Sequence, residues 1–380
     1  MMMYILAVPA AYQILAILAS LRRLFFRERL TGYAPAVSFL KPVRGADPYF
    51  YEAIESHAQL NYAGEFEILF GVMSPNDTAI PYIQRLIAAY PNHRIRLVQI
   101  HTVRPNGKVG ALIDLYREAS HPVIVINDSD IKVMPDYLTK IVAPLENPQI
   151  GLVTCLYRAA GASFAGWFEG LGVDTDFAPS TLVAQFVGVD EFALGSTLAM
   201  RRQDLDRIGG LEPISSYIAD DYQLGHRIHQ LGLKCHLAEP TVDTHLGAET
   251  FRDAWQHQVR WARTIRACRG GGYMGLPATF ATLWAVVAML AGNVTAGLAL
   301  LGVRMLLALI SSVFVLKART GLPMLLLVPL RDLFAVAVWI AGIAGHRVYW
   351  RDFAMSLDGE GRIVQSIHSG GTSSATIRQP

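Results

Sequence analysis

Two kinds of hydrophobic patterning divide this chain. At its ends apolar residues run on almost unbroken, over residues 4–21 and again over residues 280–345. Between them, from about residue 31 to residue 269, apolar positions come in short groups separated by polar loops. Residues 36–40, 66–72, 94–100, 123–126, 150–154 and 192–200 read as strands, and 78–90, 107–116, 218–231 and 255–269 carry helical spacing. Val123, Ile124, Val125 and Ile126, introduced by Pro122, form the branched apolar run expected of a strand buried on both faces of a parallel sheet. Strands alternating with helices at this spacing predict a doubly wound α/β sheet.

In open α/β sheets the ligand edge is the carboxyl end of the strands. Three predicted strands end there in polar residues: Lys41 after the first, Asp77 after the second, Asp128 and Asp130 after the fourth. Each alone reads more readily as a solvated loop residue, and only their shared edge gives them weight. Asp128 and Asp130, at i and i+2 on extended backbone, can face one cation. Asn127-Asp128-Ser129-Asp130 is also good turn composition, so the pair alone leaves metal site and turn both open. Asp220 and Asp221 open a helix, where the dipole favours acids as caps. Arg260, Arg263, Arg266 and Arg269 fit either an amphipathic helix or the basic flank of the next apolar segment. Asp243 and His245 read as part of a metal shell or as ordinary loop residues. Residues 159–189, with Phe164, Trp167, Phe168 and Phe177, fit a membrane-facing amphipathic region or plain core packing.

Composition sharpens the class. With 52% hydrophobic and 17% charged residues over 380 positions, the excess apolar content sits in the two terminal regions. Residues 4–21 can span a bilayer, and Arg22, Arg23, Arg27 and Arg29 follow with nothing basic before them. This is the pattern of an anchor with its N-terminus outside, and no small-residue cleavage site suggests a signal peptide. A net charge of +2 without a concentrated basic face excludes a nucleic-acid partner. Cys155, Cys235 and Cys268 are odd in number and widely spaced, which fits a reducing compartment rather than disulfides or zinc. Residues 280–316 suit two tight spans broken near Gly302 and Arg304. Residues 322–345 make one span or two re-entrant pieces around Arg331-Asp332, a charge pair that is interfacial or functional. The expected division is an anchor at 1–22, a cytoplasmic domain at 31–270, a membrane region of two to four segments at 277–350, and a tail at 351–380. Residues 369–380, rich in Ser, Gly and Thr, are expected to lack fixed structure.

The run Val37-Ser38-Phe39-Leu40-Lys41-Pro42-Val43-Arg44-Gly45-Ala46-Asp47-Pro48 closely resembles the opening of the ceramide glucosyltransferases, inverting glycosyltransferases of family 21, close to family 2, with a GT-A fold. The likeness continues through Asn76-Asp77-Thr78, the Asp128 loop, Tyr217-Ile218-Ala219-Asp220-Asp221-Tyr222 and Arg260-Trp261, and so covers roughly residues 36–266. Bacterial members associated with hopanoid synthesis resemble it in size and terminal layout, and that resemblance implies a bacterial inner membrane with the catalytic domain on the cytoplasmic side. The resemblance implies a GT-A mixed sheet carrying terminal transmembrane helices. It also implies transfer of glucose or N-acetylglucosamine from a UDP-sugar donor to a membrane lipid acceptor, a ceramide or hopanoid polyol. Sugar transfer to an alcohol needs a general base, and Asp221 matches the family's. Lys41, Asp77, Lys108 and Asp128 would bind the nucleotide sugar, and Asp128 and Asp130 would hold Mg2+ or Mn2+. Arg260 and Trp261 would meet diphosphate and acceptor, with His257 standing where the family has Gln or Arg. Two rival readings remain: a processive polysaccharide synthase of family 2, and a membrane-anchored binding protein with a dead transferase domain.

Overall fold

A computed structural model describes residues 2–247, 250–350, 353–368 and 374–375. The chain divides into two compact units: residues 27–157 with 189–245, and residues 1–26 with 158–188 and 246–380.

The first unit is built on a seven-stranded sheet, whose strands are β1 (Val37–Val43), β2 (Phe66–Val72), β3 (Arg94–Gln99), β4 (Val123–Ile126), β5 (Ile150–Gly161), β6 (Leu198–Arg201) and β7 (Lys234–Leu246). Their order is β3-β2-β1-β4-β6-β5-β7. β1 to β4 are parallel, and β6 runs antiparallel to both β4 and β5. Alternate side chains feed two cores, one on each face. Phe39, Ile68, Phe70, Val123 and Val125 pack in one layer with Ile83 and Leu86 of the Ile80–Ala89 helix. Leu40, Leu69, Ile124 and Ile126 pack in the other with Val109, Leu112 and Leu115 of the Gly107–Glu118 helix. That two-sided burial explains why β4 has no polar position. Each of its residues is buried, which stabilises by roughly 1.5–3 kcal/mol per side chain.

Register places the ligand rim. Leu40 pairs with Ile126 and Val43 with Val72, so β1 and β2 end together, β4 stops three residues short of them, and all three open onto one rim. β6 enters from that same rim, because Leu198 is the partner of Ile126. The expected strand at 192–200 is therefore shortened to its last three residues, and 194–197 forms a turn closed by a Leu194–Thr197 bridge. β7 was hidden in the sequence, since Lys-Cys-His-Leu-Ala-Glu-Pro offers neither a continuous apolar run nor clean alternation.

The second unit is mostly helical. Three described helices are long and apolar enough to cross a membrane: Leu6–Phe25, Val294–Val315 and Leu322–Ile343. Gly270–Thr279 with Ala281–Leu290, bent by 46°, would make a fourth span if the pair counts as one. The break expected near Gly302 and Arg304 falls instead at residues 291–293, where Gly292 takes a φ of +86° and ends the Ala281–Leu290 helix. Arg304 stays inside the following helix because both its Nε and a terminal nitrogen reach Asp332 (2.9 and 2.6 Å), and it also donates to Thr175 O (3.0 Å). The Arg331-Asp332 interruption thus sits within one continuous apolar stretch. Residues 164–186 form two helices joined by a π-helical turn at Val173–Phe177 and are largely buried. Part of the expected tail joins the last residues of the expected membrane region in a four-stranded antiparallel sheet of β8 (Arg347–Trp350), β9 (Phe353–Leu357), β10 (Ile363–His368) and β11 (Ser374–Ala375). Of the Ser/Gly/Thr-rich residues 369–380, all but Ser374 and Ala375 lie outside the described residues.

Candidate active site

β4 delivers the chain to the rim as Asn127-Asp128-Ser129-Asp130. Asn127 is fully buried and fixes the loop: its Nδ2 donates to Ser196 O (2.7 Å) and to the Tyr137 hydroxyl (3.0 Å). Asp128 then emerges with 41% of its side chain exposed, 2.8 Å from Lys108 Nζ. Asp130 is turned inward and accepts a 2.5 Å hydrogen bond from Thr244 Oγ1 of β7. Burial, reinforced by the charge of Asp128, pushes the Asp130 carboxyl above its ordinary range.

Two lysines serve this loop differently. Lys41 on β1 is fully buried beneath it, donating to the backbone carbonyl of Asp128 (3.1 Å) and lying 3.3 Å from His57 Nε2. Burial lowers the Lys41 ammonium to about 7, against the pull of Asp130 and Asp128. His57 lends its Nδ1 proton to Ala53 O (3.0 Å), and burial followed by the Lys41 charge holds it well below the usual imidazole value, so its Nε2 is free to accept from the lysine. Lys108 sits at the start of the Gly107–Glu118 helix, which Asn106 caps by accepting from Lys108 N and Val109 N. Its Nζ is also 3.2 Å from Asp220. Burial works against its charge, but Asp128, Asp220 and Asp221 outweigh that and raise its pKa.

Asp220 and Asp221, in the first turn of the Asp220–Gln230 helix, take separate tasks. Asp220 pairs with Lys108. Asp221 accepts from Gly195 N (2.9 Å) and from Tyr222 N (2.8 Å). Gly195 is the floor between two carboxylates: a Cβ there would stand 3.2 Å from Asp221 Oδ2 and 3.8 Å from Asp128 Oδ2. Burial, then the neighbouring Asp220 charge, pushes Asp221 up to about 6 despite Lys108. Asp77 lies on the same rim, with both carboxylate oxygens taking the Gly45 amide (3.0 and 3.1 Å) and Oδ1 also taking Ala79 N (2.9 Å). It ties the β1 loop to the β2 loop at the head of the Ile80–Ala89 helix.

The donor set suits a divalent ion shared with a ligand. Asp128, Asp130, Asp220 and Asp221 gather around Lys41 and Lys108, four carboxyl groups about two ammonium groups. Among the described residues no three His, Cys, Asp or Glu groups are placed to hold a metal by themselves. Asp243 and His245 therefore complete no protein shell. His245 instead stacks on Tyr49, ring centroids 4.0 Å apart. Two carboxylates with substrate phosphates making up the remainder is the usual magnesium arrangement.

His257, Arg260 and Trp261 belong to the second unit, on the Phe251–Cys268 helix, which opens with a Thr250/Asp253 capping box. The arginines of this helix divide. Arg263 and Arg266 reach the terminal carbonyls of the Val328–Ile343 helix, Ala344 O (2.9 Å) and Gly345 O (2.7 Å) among them, where cations suit the helix dipole. His257 Nδ1 lies 2.6 Å from Glu169, and its ring centroid is 4.5 Å from that of Trp261. Glu169 escaped the sequence reading. The signal was there: a lone carboxylate within Phe164-Ala165-Gly166-Trp167-Phe168-Glu169-Gly170-Leu171 must find a partner when that run is buried.

The order of these motifs matches a known profile, that of glycosyl transferase family 21, which fits residues 1–363. The chain belongs to that family. Ceramide glucosyltransferase 1 of Caenorhabditis elegans is 28% identical over 253 residues, 66% of this chain and 54% of that protein. Beta-monoglucosyldiacylglycerol synthase of Synechocystis sp. is 24% identical over 258 residues, 64% of this chain and 50% of that protein. The family 21 chain thus spans about half the length of the curated relatives it matches. Among solved structures, the mannosyltransferase PcManGT from Pyrobaculum calidifontis, in complex with GDP-Man and Mn2+, aligns with a TM-score of 0.53 at 18% identity, over 90% of this chain and 98% of that one. That likeness shows the fold, the GT-A mixed sheet.

Proposed function

We propose that this family 21 chain is a membrane-bound inverting glycosyltransferase, moving glucose or N-acetylglucosamine from a UDP-sugar to the hydroxyl of a ceramide or hopanoid polyol. One observation carries the reading: Asp221 and Asp128 flank Gly195 on the rim where the parallel strands end. Asp221 is the general base, taking the hydroxyl proton as the lipid oxygen attacks the anomeric carbon and the UDP oxygen departs in a single displacement. Lys108 orients Asp128 and presents its ammonium toward the departing diphosphate. Asp77 fixes the loop edges that receive the uridine, and Lys41 supports the same site from beneath through the Asp128 carbonyl. Asp128 and Asp130 would hold Mg2+ or Mn2+, which when bound neutralises charge on the diphosphate. Arg260 and Trp261 serve the diphosphate and the acceptor, a role that rests on the family resemblance. The names of the relatives, one acting on ceramide and one forming a glucosyldiacylglycerol, support a lipid acceptor.

The test is product analysis. Purified protein in lipid nanodiscs is given a UDP-sugar, Mg2+ or Mn2+, and ceramide or a hopanoid polyol. A β-linked monoglycosyl lipid formed only with the metal is the expected product. An α-linkage or a polysaccharide would overturn the reading, and so would the absence of any transfer with either donor and any hydroxyl lipid.

A further inference from the structure

The Phe164–Gly172 helix buries Glu169 completely, and both donors to it come from the Phe251–Cys268 helix. Glu169 Oε1 lies 2.6 Å from His257 Nδ1 and accepts from Gln258 Nε2 at 2.8 Å. The Gln258 carbonyl oxygen in turn accepts from Arg331 (2.9 Å), whose guanidinium is buried beside Phe168 and Phe334 and against Gly172. Glu169 Oε2 has no hydrogen-bond partner among the described residues. This is more than a salt link filling a core. A carboxylate can only accept, so Nδ1 carries a proton, and in the neutral ring Nε2 is then the nitrogen with the lone pair. Trp261 closes one side of that ring. His257 also keeps 27% of its side chain exposed, so Nε2 is not sealed away with its partner.

We propose that Glu169 is a positioning residue: it locks His257 with Nδ1–H inward so that Nε2 accepts a hydrogen bond from a hydroxyl of the acceptor lipid. The chemical class selected is a neutral, hydroxyl-bearing headgroup, because a lone pair repels a phosphate oxygen where a Gln or Arg side chain would donate to it. Gln258 donates to the same carboxylate oxygen, Oε1, and is itself held by Arg331. The kinetic part rests on the glycosyltransferase reading above; the tautomer does not.

Two measurements separate these. First, 15N-histidine NMR of the detergent-solubilised full chain, with His257 assigned from its loss in H257Q, is expected to show the neutral Nδ1–H tautomer. In E169Q, which is isosteric, that preference should relax toward a mixture. A wild-type ring protonated on Nε2, or a spectrum unchanged by E169Q, would overturn the positioning role whether or not transfer is observed. Second, E169Q should lower kcat/KM for the lipid acceptor about 10–100-fold with the UDP-sugar KM unchanged, as loss of an orienting partner does. In an H257Q background E169Q should have no further effect, because the two act as one unit. Equal losses in both backgrounds, with a lowered Tm, would mean that Glu169 is only a packing element. A wild-type chain that shows the expected tautomer yet transfers no sugar would sink the glycosyltransferase reading and leave the locked imidazole standing.

Discussion

At the scale of single residues, the rim divides its carboxylates by environment. Asp128 is half exposed and paired with Lys108, whereas Asp221 is turned onto the Gly195 amide and raised to about 6. A base must be ionised to work, so kcat/KM for the acceptor should fall roughly tenfold per pH unit below about pH 6 and level off above it. A profile flat through that region would remove Asp221 from the proton transfer. Gly195→Ala places a methyl against both carboxylates and should cost transfer far more than it costs thermal stability. Lys41→Met tests the buried ammonium. The Asp128 carbonyl would lose its donor, costing about 1–3 kcal/mol of stability, and donor affinity would fall as a consequence. A direct nucleotide contact would instead lose affinity at unchanged Tm.

At the scale of elements, much of the site was legible because strand ends advertise themselves. An apolar run such as Val123–Ile126 reads as a two-sided strand, which places the first carboxylates beyond it at the strand's carboxyl end. Asp221 needed the family resemblance, since an acid in a helix's first turn is ordinary. Other features were illegible for physical reasons. β7 carries its burial in scattered positions, and β8 to β10 are strands of four to six residues, too short to show a strong period. Glu169 and Asp332 were each visible as charges in apolar runs, but their partners, His257 and Arg304, are distant in sequence. Asp77 belongs to this scale as well. It joins the β1 loop to the β2 loop, so Asp77→Ala should cost about 1–3 kcal/mol, as leaving backbone donors without their charged acceptor does, and weaken UDP-sugar binding. Asp77→Asn, which keeps an acceptor oxygen, should recover most of the stability. Equal loss in both variants, read as Tm, would refute the tie.

At the scale of the whole molecule, three helices suited to a bilayer, or four with the bent pair, belong to a chain whose GT-A sheet carries the candidate chemistry. The buried Arg304–Asp332 pair shows how a helix apolar enough to cross a membrane tolerates charge, by satisfying it bidentately from a neighbouring segment. Such a chain should stay in the membrane pellet through high salt and alkaline carbonate and be released only by detergent. Release by carbonate alone would show that these helices do not span.

The most direct test of the chemistry is the Asp221→Asn variant, compared with wild type for UDP-sugar binding and for sugar transfer to lipid under saturating Mn2+. The expected result is donor affinity within about threefold of wild type and transfer reduced about 10²–10⁴-fold, the range attributable to a general base. Transfer at the wild-type rate, or loss of donor binding together with loss of transfer, would contradict the assignment of Asp221 as the base.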